Sequence, residues 1–266
     1  MKAKFDHDFH IHSKLSLCSG REEQTKENIL KYAIDNNLNT ICITDHFWDE
    51  EVEGAWHDFY TVQNFPHISQ IKPLPQAEGI RFLFGCETEM DRFSTVAVSS
   101  GKYDEFDFIV IPTTHFHMRG LTVHEEDLST TEKKVNIWLK RINDVLSMDL
   151  PFHKVGFAHL TTALIEPERE NLLKFIEAIP EDELKATFKR VAEKGAGIEL
   201  NRDGMNFTEE DAHIMLKPYR IAKEEGCKFY FGSDAHNPEG LAASPPLFER
   251  AIEYLGLQDA SKIVTA

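Results

Sequence analysis

The sequence lacks closely paired cysteines. Its four, Cys18, Cys42, Cys86 and Cys227, are scattered along 266 residues, which argues against any motif of the CxxC type. Three of them lie in apolar runs and read as buried, reduced thiols of a cytoplasmic protein. No stretch approaches the ~20 apolar residues that a membrane span needs. The opening MKAKFDHDFH has no apolar core of a secretory signal, so none is expected. Basic residues are also scarce: 29 Lys and Arg stand against 45 Asp and Glu, a formal net charge of −16. Such a surface repels phosphate backbones, so no nucleic-acid partner is expected unless bound metals or a local basic patch reverse the field. Internal repeats, low-complexity tracts and linkers are absent too, which predicts one domain over residues 1–266.

What is present is a hydrophobic fraction of 41%, enough for a sizeable core. Short, continuous apolar runs recur: KFDHDFHIH (4–12), TICITDH (40–46), IRFLFGCE (80–87), FDFIVIPTTH (106–115), KVGFAHLT (154–161), GAGIELN (195–201) and CKFYFGSDAH (227–236). Continuous rather than alternating runs predict strands buried on both faces. Helical patterns lie between several of them. TKENILKYAIDNN carries an apolar stripe at Ile29, Leu30, Ala33 and Ile34. TEKKVNIWLKRINDVLSM and EEDAHIMLKPYRIAKEEG read likewise, and EDELKATFKRVAEKG ends at Gly195, a helix stop. Strand-helix alternation at this length predicts an α/β fold with a closed parallel barrel. Residues 47–66 are aromatic and acidic without a clear period. They read equally as a loop over a site or as a packed excursion. Residues 88–105 are ambiguous between helix and strand.

Metal-capable side chains fall at the C-terminal ends of these strands. The first ends in His10 and His12, the second in Asp45 and His46, the third in Glu87, the fourth in His115 and His117. The fifth ends near His159, the sixth with Glu199 and Asn201, the seventh with Asp234 and His236. In a parallel barrel those ends share one rim, where active sites are built. Spacing of i, i+2 on a strand aims both side chains at one point. Together these placements predict a site for several metal ions. Phosphate recognition commonly recruits arginine, and Arg202 and Arg119 are the candidates near the rim.

The ordered set HIH, ITDH, GCETE, TTH, AHL and GSDAH resembles the PHP (polymerase and histidinol phosphatase) family over nearly the whole chain. The resemblance implies a distorted (β/α)7 barrel with two or three divalent ions, of zinc, manganese or iron. Carried onto this sequence, it implies a first ion on His10, His12, Glu87 and Asp234. A second would share Glu87 with His115 and His159. A third would take His46 and His236, with Cys18 where relatives usually have histidine or an acid. A thiolate there would suit zinc better than magnesium or manganese. The implied activity is hydrolysis of a small phosphate monoester by water held as hydroxide, with L-histidinol phosphate as the leading substrate. The alternatives are a nucleotide or sugar-phosphate phosphatase, or a nuclease. Glu87, Asp234 and His236 would serve catalysis. His117 would meet the substrate, and Asp45 would orient a ligand imidazole. His7, His57, His67, His124, His153 and His213 read as surface or loop residues.

Overall fold

The structure, a computed structural model, describes residues 1–54 and 57–263. Among these residues, eight strands form one sheet: β1 (His7–Ile11), β2 (Thr40–Ile43), β3 (His46–Phe47), β4 (Arg81–Thr88), β5 (Phe108–Ile111), β6 (Val155–Phe157), β7 (Gly197–Asn201) and β8 (Lys228–Gly232). Seven follow the path β1-β2-β4-β5-β6-β7-β8, and β3 pairs with β4 beside that path. Every pairing between strands is parallel. Just past β8, the Asp234 N–H donates to His10 O at 2.7 Å, and His12 N–H donates to Ala235 O at 3.2 Å. The last strand therefore returns to the first, and the sheet closes into the expected distorted (β/α)7 barrel.

All seven predicted strands exist, but they are shorter than the apolar runs. β5 stops at Ile111 and β8 at Gly232. His115, His117, Asp234 and His236 therefore stand in the turns beyond the strands. Strand periodicity does not aim them, and His117 is exposed where His115 is buried.

Helices cover the barrel. Thr25 caps the helix Lys26–Asp35 by accepting from the Asn28 N–H. That helix buries Ile29, Tyr32 and Ala33, while Ile34 from the predicted stripe is exposed. The helix Glu181–Lys194 ends as predicted, at Gly195 with φ +80°. The run 209–226 forms two helices, Ala212–Met215 and Lys217–Glu224. The break lies just ahead of Pro218, whose ring suits a first helical turn. The helix Pro238–Leu255 runs through Pro245 and Pro246, with Asn237 as its cap. Residues 47–66 answer to both readings. Trp48 and Tyr60 belong to a small buried cluster with Ala97 and Leu121, and Phe59 and Tyr60 also line a cavity at the strand-end rim. Ala55 and Trp56 of this segment lie outside the described residues. Residues 88–105 form neither a long helix nor a strand. They hold an antiparallel bridge between Met90 and Val96 and a 3-10 turn over Ser100–Glu105. Among the described residues, no helix is long and apolar enough to cross a membrane.

Inside the barrel the packing depends on glycine. A Cβ on Gly156 of β6 would come within 2.4 Å of the Tyr230 ring of β8. The buried Tyr230 thus fills the space that Gly156 leaves in the next strand but one. Overpacking a close-packed core costs about 1–3 kcal/mol, so Gly156→Ala is expected to lower stability by that amount. Chemical denaturation measures it. An unchanged midpoint would contradict the packing account.

Candidate metal centre

The pairing register builds the site. β3 pairs with β4 so that His46 lies opposite Glu87. Barrel closure sets Asp234 beside His10. Four described non-glycine residues adopt positive φ, and two of them are site residues: His159 at +61° and Asp234 at +50°. Left-handed backbone costs a side-chain-bearing residue about 1–2 kcal/mol. The fold holds that strain where two proposed ligands turn inward, a pattern found at functional sites.

Glu87 lies at the centre, 1% exposed. Its Oε2 faces His46 Nδ1 at 2.9 Å, His12 Nε2 at 3.3 Å and His10 Nε2 at 3.6 Å. Its Oε1 faces His115 Nε2 and His159 Nε2, both at 3.5 Å. Asp234 divides its oxygens in the same way. Oδ1 stands 3.2 Å from His12 Nε2 and 3.6 Å from His10 Nε2, and Oδ2 stands 3.1 Å from His159 Nε2. Metal bonds of about 2.0–2.2 Å place tetrahedral neighbours about 3.3–3.5 Å apart, close to these separations. Ligand atoms gather in three overlapping groups: His10, His12 and Asp234; His10, Glu87 and His159; His12, His46 and His236.

Hydrogen bonds fix which ring nitrogen faces inward. His10 Nδ1 donates to Glu199 at 2.6 Å, leaving Nε2 for the centre. His115 Nδ1 donates to Glu89 at 2.8 Å. His12 Nδ1 bonds Ser16 Oγ at 2.9 Å, and Ser16 donates to Asp45 at 2.7 Å. The predicted orienting role of Asp45 thus runs through Ser16. Carboxylates behind imidazoles are the usual support of a metal ligand. Two of these supports, Glu89 and Ser16, were not predicted. Glu89 was legible, because the i, i+2 spacing in GCETE gives it the same face as Glu87.

The electrostatics fit bound cations. Burial pushes the Glu87 carboxyl up, but His46 and His10 outweigh it and hold the group well below its usual range. Burial likewise opposes ionisation of Asp234, and His10 and His159 prevail. Burial acts to lower His12, yet Asp234 and Glu87 lift it to about 9. Among the described residues, both Glu87 oxygens and both His159 ring nitrogens are buried without a partner in hydrogen-bonding geometry, although facing groups stand as near as 2.9 Å and 3.1 Å. Polar groups in that position need compensation, and divalent ions would supply it. The donor set of imidazole and carboxylate suits zinc, manganese or iron.

Outside this cluster lies a cavity of about 440 Å³ that reaches Glu87, Asp234, His46, His115 and His236. Cys18 and His117 stand on its wall, with Phe59, Tyr60, Met118 and Leu164. Cys18 is exposed and lies outside the three ligand groups, where His12 joins His46 and His236. Although His117 is exposed, partial desolvation and then the nearby His115 press its ring down to about 4. Burial and then His12 press His236 down to about 3. Both rings are neutral at pH 7. Neither predicted arginine lines the cavity. Arg202 bonds Asp203 at 2.9 Å and packs over Gly240, and Arg119 is exposed.

The class is a parallel α/β barrel whose strand-end rim carries side chains able to hold divalent ions. The PHP domain model matches residues 8–203, so the chain belongs to the PHP domain family. The matched segment stops before Asp234 and His236, which reach the site through β8. In fold the chain is similar to histidinol phosphate phosphatase from Lactococcus lactis subsp. lactis, a structure complexed with zinc, L-histidinol and phosphate. The TM-score is 0.60 at 18% identity, over 99% of this chain and 100% of that one. No curated protein sequence matches the chain.

A shared carboxylate makes a direct prediction. Glu87→Gln removes the charge and weakens bridging, so the variant should bind fewer zinc ions per chain in equilibrium dialysis. Wild-type stoichiometry in a folded variant would show that Glu87 does not bridge.

Proposed function

We propose that the chain is a metal-dependent phosphoric monoester hydrolase acting on a small phosphorylated substrate, with L-histidinol phosphate first among the candidates. The observation that carries this reading is the division of Glu87, one oxygen toward His10, His12 and His46 and the other toward His115 and His159. A pair of divalent ions supplies nucleophilic water near neutral pH and charge to stabilise a phosphoryl group in flight.

The chain's own residues would do the rest. Glu87 and Asp234 hold the pair together. Glu199, Glu89 and the Ser16–Asp45 couple keep the ligand imidazoles turned inward. His117 and His236 border the cavity as neutral rings, suited to hydrogen bonding with the substrate or to ligation. Phe59, Tyr60, Met118 and Leu164 provide an apolar wall for the non-phosphate part and exclude water from it. Arg119 and Arg202 stand outside the cavity, so phosphate binding falls to the ions and the imidazoles. The substrate proposal draws on the fold neighbour, whose structure contains L-histidinol and phosphate. We read residues 1–266 as one catalytic unit. The three buried free cysteines fit the reducing cytoplasm.

The test is phosphate release from a panel containing histidinol phosphate, sugar phosphates and nucleoside monophosphates. Activity should disappear with chelator and return with zinc or manganese. Full turnover by metal-free protein would refute the mechanism, and inactivity of the metal-loaded protein on every monoester would refute the class.

A third ion on His46, His236 and Cys18 belongs to the same proposal. Cys18→Ser should then lower zinc stoichiometry by about one ion per chain, while Cys18→His retains it, since both thiolate and imidazole suit zinc. Equal metal counts in all three proteins would remove Cys18 from the ligand set.

A further inference from the structure

Arg141 is a guanidinium sealed in the interior, 1% exposed, on the helix Thr131–Val145. Its hydrogen bonds all go to backbone carbonyls. Nε donates to Thr113 O at 2.6 Å. Nη1 donates to Asp91 O at 2.9 Å and to Thr122 O. Nη2 donates to Met90 O at 2.9 Å. Three separate segments are thus fastened to one planar group: the chain after β4, the turn after β5, and the loop around Thr122.

Each of those segments holds part of one arm of the metal centre. The Met90 N–H donates to Glu89 Oε1 at 2.8 Å, and Glu89 Oε2 accepts from His115 Nδ1 at 2.8 Å. Thr113 stands two residues before His115. The Thr122 hydroxyl donates to His115 O. Arg141 touches neither the ions' ligand atoms nor the cavity. The other arm, with His10 and His12, is held by Glu199 and Ser16, which Arg141 does not touch.

We infer that Arg141 is a positioning residue for the ion reached by Glu87 Oε1, His115 and His159, acting through the Glu89–His115 pair, whereas His10 and His12 are held in place from elsewhere. This rests on the two-ion reading of the site. Lysine cannot replace the group, because its single ammonium cannot reach four carbonyls lying around one plane.

The test is zinc titration against a competing chelator for wild type, Arg141→Lys and Val145→Ala. Val145 is buried on the same helix and serves as a control for lost stability. Arg141→Lys is expected to keep one tight ion and to bind the other at least tenfold more weakly. Val145→Ala should keep both affinities equal to wild type. Wild-type affinity for both ions in Arg141→Lys, or parallel weakening of both, would overturn the proposal. Failure of wild type to bind two ions would instead overturn the underlying reading of the site. If Arg141→Lys does not fold, Thr122→Val cuts the hydroxyl link to His115 while the four bonds of Arg141 remain. It should show the same one-ion weakening, and unchanged binding in that variant would refute the route.

Discussion

A full carboxylate charge sits at the centre of this barrel with almost no water to solvate it. The rim around it follows from how Glu87 is compensated. Five imidazoles approach its two oxygens from two sides, and a second carboxylate, Asp234, spans the same division. Isolated buried charge is unfavourable by many kcal/mol unless paired or bound to metal. Neutral imidazoles alone do not compensate it. In the protein without ions, Asp234 and Glu87 lift His12, and the imidazoles around them hold both carboxyls ionised. Ions held by these residues would take the place of imidazole protons, so metal binding there would be coupled to proton release.

The barrel converts this local requirement into a fold-level one. The side chains proposed as ligands are far apart in sequence, and only the return of β8 to β1 brings Asp234 to His10 and His12. The left-handed backbone at His159 and Asp234 is tolerated because neighbouring strands overdetermine it. Behind the ligands stands a second layer, with Glu199 behind His10, Glu89 behind His115, and Asp45 behind Ser16 and His12. These groups lock tautomer and direction, so the centre is arranged before any ion arrives. Gly232 shows how tight that layer is. A Cβ there would fall within 2.0 Å of Glu199 Oε1.

Much of this was legible in the sequence, for a physical reason. Continuous β-branched runs mark strands buried on both faces, and polar residues ending such runs have only the rim to occupy. His10, His12, His46, Glu87, His115, His159, Asp234 and His236 all end such runs, and the structure brings the eight side chains together at one rim. Exact strand ends are not legible in an apolar run. β5 and β8 end four and two residues before the first of the ligands assigned to them, so turn geometry aims those side chains. Arg202 and Arg119 follow strand ends in the sequence, but side-chain direction in a loop is decided by tertiary packing, and neither lines the cavity. Arg141 was invisible because a charged residue in a helix ordinarily faces water. Its burial depends on carbonyls from three distant segments. The helix Pro238–Leu255 was hidden by its two internal prolines, which usually signal a break.

The central claim is that one carboxylate joins two ions. Diffraction from crystals of the zinc-loaded protein, recorded on both sides of the zinc absorption edge, tests it most directly. If Glu87 bridges, at least two anomalous peaks are expected, one against Glu87 Oε2 beside His10 and His12, the other against Glu87 Oε1 beside His115 and His159. A single peak, or two peaks that leave Glu87 uncoordinated, would contradict it.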